Sequence, residues 1–412
     1  MRRDCFLAAE THGDYLPPPV DLALLSGGAA AFAETSVLDA VAERLSPKTS
    51  LARAAGKKPD AVVFLTSGRT YDEDSRFLTG LREKLPKARF IGLGDMYRDV
   101  GALAFSLQPF LDAVITDLSA ADLRSFLERR GDGPLEGFLF RGAERLVSPP
   151  HRRHFGTWSP KAPAWNLFPL GRYALPLAPG GPAAALVSDF GCPYPCGYCP
   201  VSAMGHRLRP IEDVLEEART LRALGVKAVL IADQTFGAHS TRTMTLLDGL
   251  ARQGPGFSWA AWTRVDLAQE NLLSAMKRAG AGAVGFGIDS GDDEVLRASK
   301  KTTTAAQARS AVAAARKAGL KVWGSFVLGL PVDTRETVEK SLAFARSLKL
   351  DRVDYRVDSA RKSVSYRREL LVKGLVPPES MPPDTPTSTS VWQGRLGISN
   401  ADVAQYHEEA AA

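Results

Sequence analysis

Thiols are scarce in this chain: 412 residues contain only four cysteines, too few for a disulfide framework. No run of apolar residues approaches eighteen, which excludes a membrane-spanning helix, and the N-terminus Met1-Arg2-Arg3-Asp4-Cys5 carries an acidic residue and no apolar core of signal-peptide length. A cytoplasmic location is expected, where thiols stay reduced. Neither sign of charge dominates, since 52 basic residues are interspersed with 46 acidic ones for a net charge of +6. Nucleic acid is therefore not an expected partner, and the densest basic cluster, Arg361, Lys362, Arg367 and Arg368, reads as a solvated face or as a contact for an anionic substrate or partner. Length, 45% hydrophobic and 24% charged content are those of a globular protein of two or three domains.

Three of the four cysteines fall within eight residues, Cys192-Pro193-Tyr194-Pro195-Cys196-Gly197-Tyr198-Cys199. Thiolates spaced C-x3-C-x2-C can converge on one centre, and soft sulfur ligands select zinc or an iron–sulfur cluster. A disulfide fits poorly, because the loop is tight and one thiol is left over. A structural zinc needs four closed ligands, and His206 could supply the fourth. A [4Fe–4S] cluster on three cysteines leaves one iron open to a substrate or cofactor.

This spacing, with an aromatic residue before the last cysteine, resembles the signature of the radical S-adenosylmethionine (SAM) enzymes. The resemblance implies a [4Fe–4S] cluster on Cys192, Cys196 and Cys199. Its open iron would chelate the amino and carboxylate groups of SAM, with Tyr198 against the adenine.

Residues 1–150 alternate strands and helices. Val62-Val63-Phe64-Leu65, Phe90-Ile91-Gly92-Leu93-Gly94 and Ala113-Val114-Ile115-Thr116 are apolar runs without polar alternation, so a parallel sheet covered on both faces is predicted, an α/β doubly wound domain. Ligands of such sheets lie beyond the carboxyl ends of the strands, here Thr66-Ser67-Gly68, Gly92, Gly94-Asp95 and Thr116. The same residues also suit tight strand-to-helix turns. This half contains no G-x-G-x-x-G and no P-loop. It resembles the Rossmann-like cobalamin-binding domain that precedes the barrel in one radical SAM subclass, from Leu16-Pro17-Pro18 through Val37-Leu38-Asp39 to the Thr66-Ser67 and Gly92-Leu93-Gly94 turns. The resemblance implies cobalamin near Thr66, Ser67, Gly92 and Gly94, although the D-x-H-x-x-G signature is absent. His12 is either a cobalt ligand or a solvated loop histidine.

Eight prolines between 149 and 182, with Trp158, Trp165, Phe168 and Tyr173 among them, predict an extended linker over 151–182 that packs along the domains. The preceding stretch 138–147 reads as a closing hairpin. Residues 183–358 then repeat strand and helix six times, with strands at 184–188, 228–232, 258–263, 283–288, 322–328 and 353–357. Six units suit an open (β/α)6 barrel, the partial barrel that the resemblance implies. The cysteine loop, Asp233-Gln234-Thr235, Arg264, Asp289-Ser290-Gly291, Gly329-Leu330-Pro331 and Asp358 follow successive strands, at the face where such barrels gather chemistry.

In the family, Asp233 and Gln234 stand at a Gly-Gly-Glu segment that receives the SAM ammonium, and Arg264 could pair with its carboxylate. Gly287-Ile288-Asp289-Ser290-Gly291 resembles a Gly-Ile-Glu-Ser-Gly strand end, implying that Asp289 and Ser290 reach ribose and methionine; the strand ending at Gly329 would back adenine. Gln234 replaces a frequent acid and Asp289 a glutamate. Trp259, Trp262 and Trp323 read as barrel packing, while Tyr355 and Asp358 are candidates to face substrate. Residues 359–412 read as a short tail or cap, with an extended stretch expected around 377–390 and a closing helix at 400–409.

The implied activity is reductive SAM cleavage to a 5′-deoxyadenosyl radical that attacks an unactivated C–H bond of a small-molecule or natural-product substrate. Flavodoxin or ferredoxin is the implied reductant. Cobalamin-dependent C-methylation leads, with oxidative cyclisation or rearrangement as the alternative. A non-catalytic zinc or iron–sulfur protein that binds a partner is the alternative of another class.

Overall fold

The computed structural model describes residues 15–357, apart from 68–69, 95–96, 98–100, 102–103, 129–134, 142–153, 179, 255 and 331. His12, Asp95, Asp358, the basic cluster, the second arm of the 138–147 hairpin and the C-terminal tail lie outside the described residues.

The first layer is a sheet in the order β1 (Ala61–Leu65), β2 (Arg89–Leu93), β3 (Ala113–Ile115), β4 (Phe138–Phe140), parallel except for the antiparallel β3–β4 pair. Neighbouring residues in a strand point to opposite faces, and here both faces are apolar and covered. Phe90, Val114 and Leu139 pack with Leu78 and Leu81 of the helix Tyr71–Lys84. Ile91, Ile115, Phe138 and Phe140 join a second core with Leu24 of the helix Val20–Ala30 and Phe126 of the helix Leu123–Glu128. Helices on both faces are what the doubly wound reading requires.

The second layer is an all-parallel sheet of six strands: β6 (Ala183–Leu186), β9 (Ala228–Ile231), β10 (Ser258–Arg264), β11 (Ala281–Asp289), β12 (Lys321–Leu328) and β13 (Arg352–Val357), in that spatial order. Each predicted strand is present, and the chain is α/β throughout. Helices Ile211–Ala223, Ser240–Gln253, Glu270–Arg278, Ala305–Lys317 and Arg335–Leu348 cover the outside. Val284, Phe286, Ile288, Val322, Phe326 and Leu328 belong to the core beneath these helices. The intervening Gly285, Gly287, Trp323 and Ser325 therefore face the barrel interior.

Trp262 and Trp323 plug that interior with ring centroids 4.4 Å apart, Tyr15 meets Trp323 at 6.2 Å, and the Arg352 guanidinium lies over both Tyr15 and Trp323. Gly285 makes room for this plug, since a Cβ there would stand 2.6 Å from the Trp262 ring. Trp259 is buried against Phe236, so all three tryptophans pack the barrel. Tyr355 turns outward to Phe326, at 5.8 Å, rather than toward a substrate. The stretch Gly280-Ala281-Gly282-Ala283-Val284-Gly285 spells G-x-G-x-x-G, but it runs into β11 and makes no phosphate-cradling turn.

One element departs from the sequence reading. A three-stranded sheet joins β5 (His154–Thr157), β8 (Gly205–Leu208) and β7 (Asp189–Gly191), with β5 parallel and β7 antiparallel to β8. Part of the proline-rich segment is thus a regular strand. Its aromatics do pack: Trp158, Trp165, Phe168 and Tyr173 are buried, Tyr173 Oη donates to Asp39 Oδ2 at 2.8 Å, and Trp165 Nε1 donates to Glu217 Oε1 at 3.3 Å. No helix among the described residues is long and apolar enough to cross a membrane.

Candidate active site

The cysteine loop leaves β7 through Gly191, whose φ of +85° and closeness to Gly205 O admit no side chain. Backbone hydrogen bonds then pin it: Cys192 N to Gly205 O at 2.8 Å, Cys199 N to Cys196 O at 3.2 Å, and Gly197 N to Ser299 O at 3.0 Å. All three thiols are free, with Cys196 buried and the others half-buried. Burial pushes the Cys199 thiol up to about 12 and raises that of Cys196, against the opposing charges of Lys301 and Arg264. A metal centre would supply the positive charge that burial withholds from three thiolates.

Among the described residues no three His, Cys, Asp or Glu side chains gather closely enough to hold a single ion. His206 directs Nε2 at Asp189 Oδ2, 3.2 Å away, because β8 pairs with β7 in the register Gly191 to His206. The closed zinc site thus lacks its fourth ligand. A cluster, in which each cysteine binds a different iron, fits three free thiols spread along one loop.

Arg264 ends β10 beside this loop: its guanidinium stacks over Tyr194 at 4.0 Å, and Nη1 lies 3.8 Å from Cys196 Sγ. Its Nε and Nη2 are engaged by Asp266, both at 2.9 Å, and Nη2 also donates to Thr302 Oγ1 at 2.8 Å. Thr235 Oγ1 stands 3.3 Å from Cys192 Sγ. Asp289 ends β11 with φ of +66°, and its Oδ2 accepts from Tyr198 Oη and Lys301 Nζ. Strand ends thus bring Cys196, Tyr198, Arg264 and Asp289 together.

Other candidates are turned elsewhere. Asp233 is buried and spends both oxygens on the neighbouring strand end: Oδ1 accepts from Ser188 N at 2.6 Å and Asp189 N at 3.1 Å, and Oδ2 from Ser188 Oγ at 2.5 Å. Burial, with the Asp189 charge next, pushes its carboxyl up to about 7. Gln234, next in sequence, is half-buried. Ser290 Oγ meets Ser341 Oγ at 3.0 Å and accepts from Asp292 N at 3.1 Å, fastening the helix Arg335–Leu348. Gly329, with φ of +88°, donates its N–H to Asp333 Oδ2 at 3.0 Å.

In the first layer, Thr66 Oγ1 donates to Asp74 Oδ2 at 2.6 Å and Ser67 Oγ lies 3.2 Å from Thr70 Oγ1, so both hydroxyls serve the start of the following helix. Gly92 makes room for the Tyr97 ring and Gly94, with φ of +143°, for Thr66 O. These four residues thus form tight strand-to-helix turns. Thr116 differs, because its Oγ1 is buried without a partner among the described residues. It lines a cavity of about 10 Å³ with Leu93, Gly94, Ile115 and, from the barrel, Phe190 and Met204. A void of that size admits one water molecule, which would satisfy the hydroxyl. Arg207 of β8 spans the same seam, donating to Ser119 Oγ at 2.7 Å.

Lys301 was not visible in the sequence. It lies in a Lys-Lys pair after a short helix, and no motif marks it.

Residues 188–345 match the family model described as the Radical SAM superfamily. An uncharacterised methyltransferase of Pyrococcus horikoshii is 27% identical over 82% of this chain and 75% of its own length. An anaerobic magnesium-protoporphyrin IX monomethyl ester cyclase of Rubrivivax gelatinosus is 23% identical over 84% of this chain, which spans 65% of that relative. The solved structure of the radical SAM methyltransferase TsrM from Kitasatospora setae superposes with a TM-score of 0.68 at 18% identity, covering 85% of this chain and 73% of that one. The last likeness shows a shared fold, an α/β layer ahead of the half-barrel. With the matched stretch coinciding with the cysteine loop and the strand ends around it, residues 188–345 carry a radical SAM domain, whose family cofactors are a [4Fe–4S] cluster and SAM.

Proposed function

We propose that this enzyme methylates an unactivated carbon of a small-molecule substrate, with cobalamin as its third cofactor. The observation that carries this reading is the seam between the layers. The strand ends of the first layer, at Gly94 and Thr116, meet Phe190 and Met204, which flank the cysteine loop. A cofactor held by residues 1–150 would therefore share one space with SAM held by residues 183–358, along the 151–182 segment.

In this reading Cys192, Cys196 and Cys199 hold the cluster, and Tyr198, Arg264 and Asp289 border SAM. Arg264 offers its remaining Nη1 edge to a carboxylate while Asp266 fixes the rest of its fork. Asp233 secures the ends of β6 and β9, which leaves the ammonium to Gln234. Thr116 would lie on the cobalamin side of that seam. Cluster and SAM supply, by one-electron reduction, methionine and a 5′-deoxyadenosyl radical that removes a hydrogen atom; cobalamin supplies a transferable methyl group. The electron comes from a reducing partner such as flavodoxin or ferredoxin.

The test is metal analysis of anaerobic protein expressed with cobalamin available, followed by transfer of a labelled methyl group from SAM. About four iron and four sulfide per chain with stoichiometric cobalt, and label in the product, are expected. Iron without cobalt and a product without label would favour oxidative cyclisation, a reading supported by the similarity to the Rubrivivax gelatinosus cyclase across 84% of the chain. Zinc alone would remove the enzyme reading.

A further inference from the structure

Lys301 is 7% exposed, and nothing in the motifs accounts for a buried lysine there. Its ammonium donates to Gly287 O at 2.9 Å and to Asp289 Oδ2. Asp289 adopts a left-handed conformation that residues other than glycine avoid, and the β11–β12 register slips at the same point, between Gly287 and Asp289. These two irregularities turn the carboxylate toward the cysteine loop, where Tyr198 Oη donates to the same Oδ2. The other oxygen, Oδ1, accepts no hydrogen bond from any described residue. The turn that carries Lys301 is itself fastened to the loop, through Gly197 N to Ser299 O at 3.0 Å. A buried ammonium is costly unless paired, and so is a buried carboxylate. The arrangement binds both charges between β11 and the cysteine loop and leaves one carboxylate oxygen unspent.

We propose that Lys301 is a positioning residue of the SAM site: it holds the Asp289 carboxylate against Tyr198, aims Oδ1 at a ribose hydroxyl of SAM, and places a positive charge beside Cys196. The inference rests on the radical SAM reading and adds to it a residue and an electrostatic role. It has a signature that simple packing lacks, because the two members of the pair carry opposite charges near the cluster. At an effective dielectric of about 20, a unit charge roughly 10 Å away shifts an equilibrium by about tenfold or more.

The experiment uses full-length protein with a reconstituted cluster and measures two quantities, the midpoint potential by EPR-monitored titration and the dissociation constant of SAM. Lys301→Met should lower the potential, because an uncompensated carboxylate disfavours the reduced cluster, and weaken SAM binding at least tenfold. Asp289→Asn should weaken SAM binding similarly but raise the potential. Lys301→Arg should keep most of both properties, and it carries the test should Lys301→Met fail to fold. The double variant Lys301→Met/Asp289→Asn should return the potential toward that of the unaltered protein without restoring SAM affinity. Unchanged potential and SAM affinity in Lys301→Met, or potentials that move in the same direction in both single variants, would overturn the proposal. Failure of the unaltered protein to take up iron and sulfide would instead overturn the radical SAM reading beneath it.

Discussion

Replacing Glu217 with Leu tests how the proline-rich segment is locked to the barrel. Glu217 and Arg209 form an ion pair at 2.8 Å with both side chains 1% exposed, and Trp165 Nε1 uses the second carboxylate oxygen at 3.3 Å. Removing the acid strands a guanidinium that, among the described residues, has only Val187 O left, at 2.6 Å, and whose Nε already lacks a partner there. Breaking a buried pair from one side costs about 3–5 kcal/mol. The retained carbonyl argues for the lower end, and the indole N–H that loses its acceptor adds about 1 kcal/mol. A loss of about 4 kcal/mol at a urea slope of about 3 kcal/mol/M moves the unfolding midpoint down by roughly 1.3 M. The double variant Arg209→Met/Glu217→Leu removes both charges and should recover most of that loss. Urea unfolding of metal-free protein, followed by far-ultraviolet circular dichroism, makes the comparison. A single variant that shifts by less than about 0.3 M, or a double variant as unstable as the single, would refute the reasoning.

Three further outcomes are expected. Cys196→Ala should abolish both iron uptake and SAM cleavage, and persistence of cleavage would remove the mechanism. Gly94→Ala forces a Cβ into Thr66 O at a φ of +143°, so it should cost about 2 kcal/mol or more and loosen the first layer in hydrogen exchange while leaving β10–β12 protected. Burial pushes the Asp189 and Asp233 carboxyls from 3.8 up to about 8 and about 7, so the folded chain holds their protons more tightly than the unfolded one. Their stabilisation is full below about pH 4 and lost as pH rises through 7 to 8; metal-free protein should resist urea better at about pH 6 than at about pH 9, and Asp189→Asn should flatten the difference.

The barrel was legible because each of its strands is a local apolar run and each outer helix repeats its apolar residues every three or four positions, so period alone locates them. β5 was not, since His154–Thr157 is short, includes Gly156, and finds its partner some fifty residues later at Gly205–Leu208. Which residues stand at strand ends follows from the same periodicity. The direction in which each turns does not. Asp233 and Asp289 occupy equivalent places after β9 and at the end of β11, yet the first is consumed by the N–H groups of Ser188 and Asp189 while a positive φ swings the second toward Tyr198. Backbone conformation at one residue therefore separates a carboxylate turned to the neighbouring strand from one turned to the cysteine loop, and spacing does not encode it. His206 illustrates the same limit: seven residues after Cys199 it suits a zinc, but the pairing of β7 with β8 directs its ring to Asp189. Lys301 completes the argument, because a buried cation becomes visible only once the carboxylate twelve residues before it is known to turn inward.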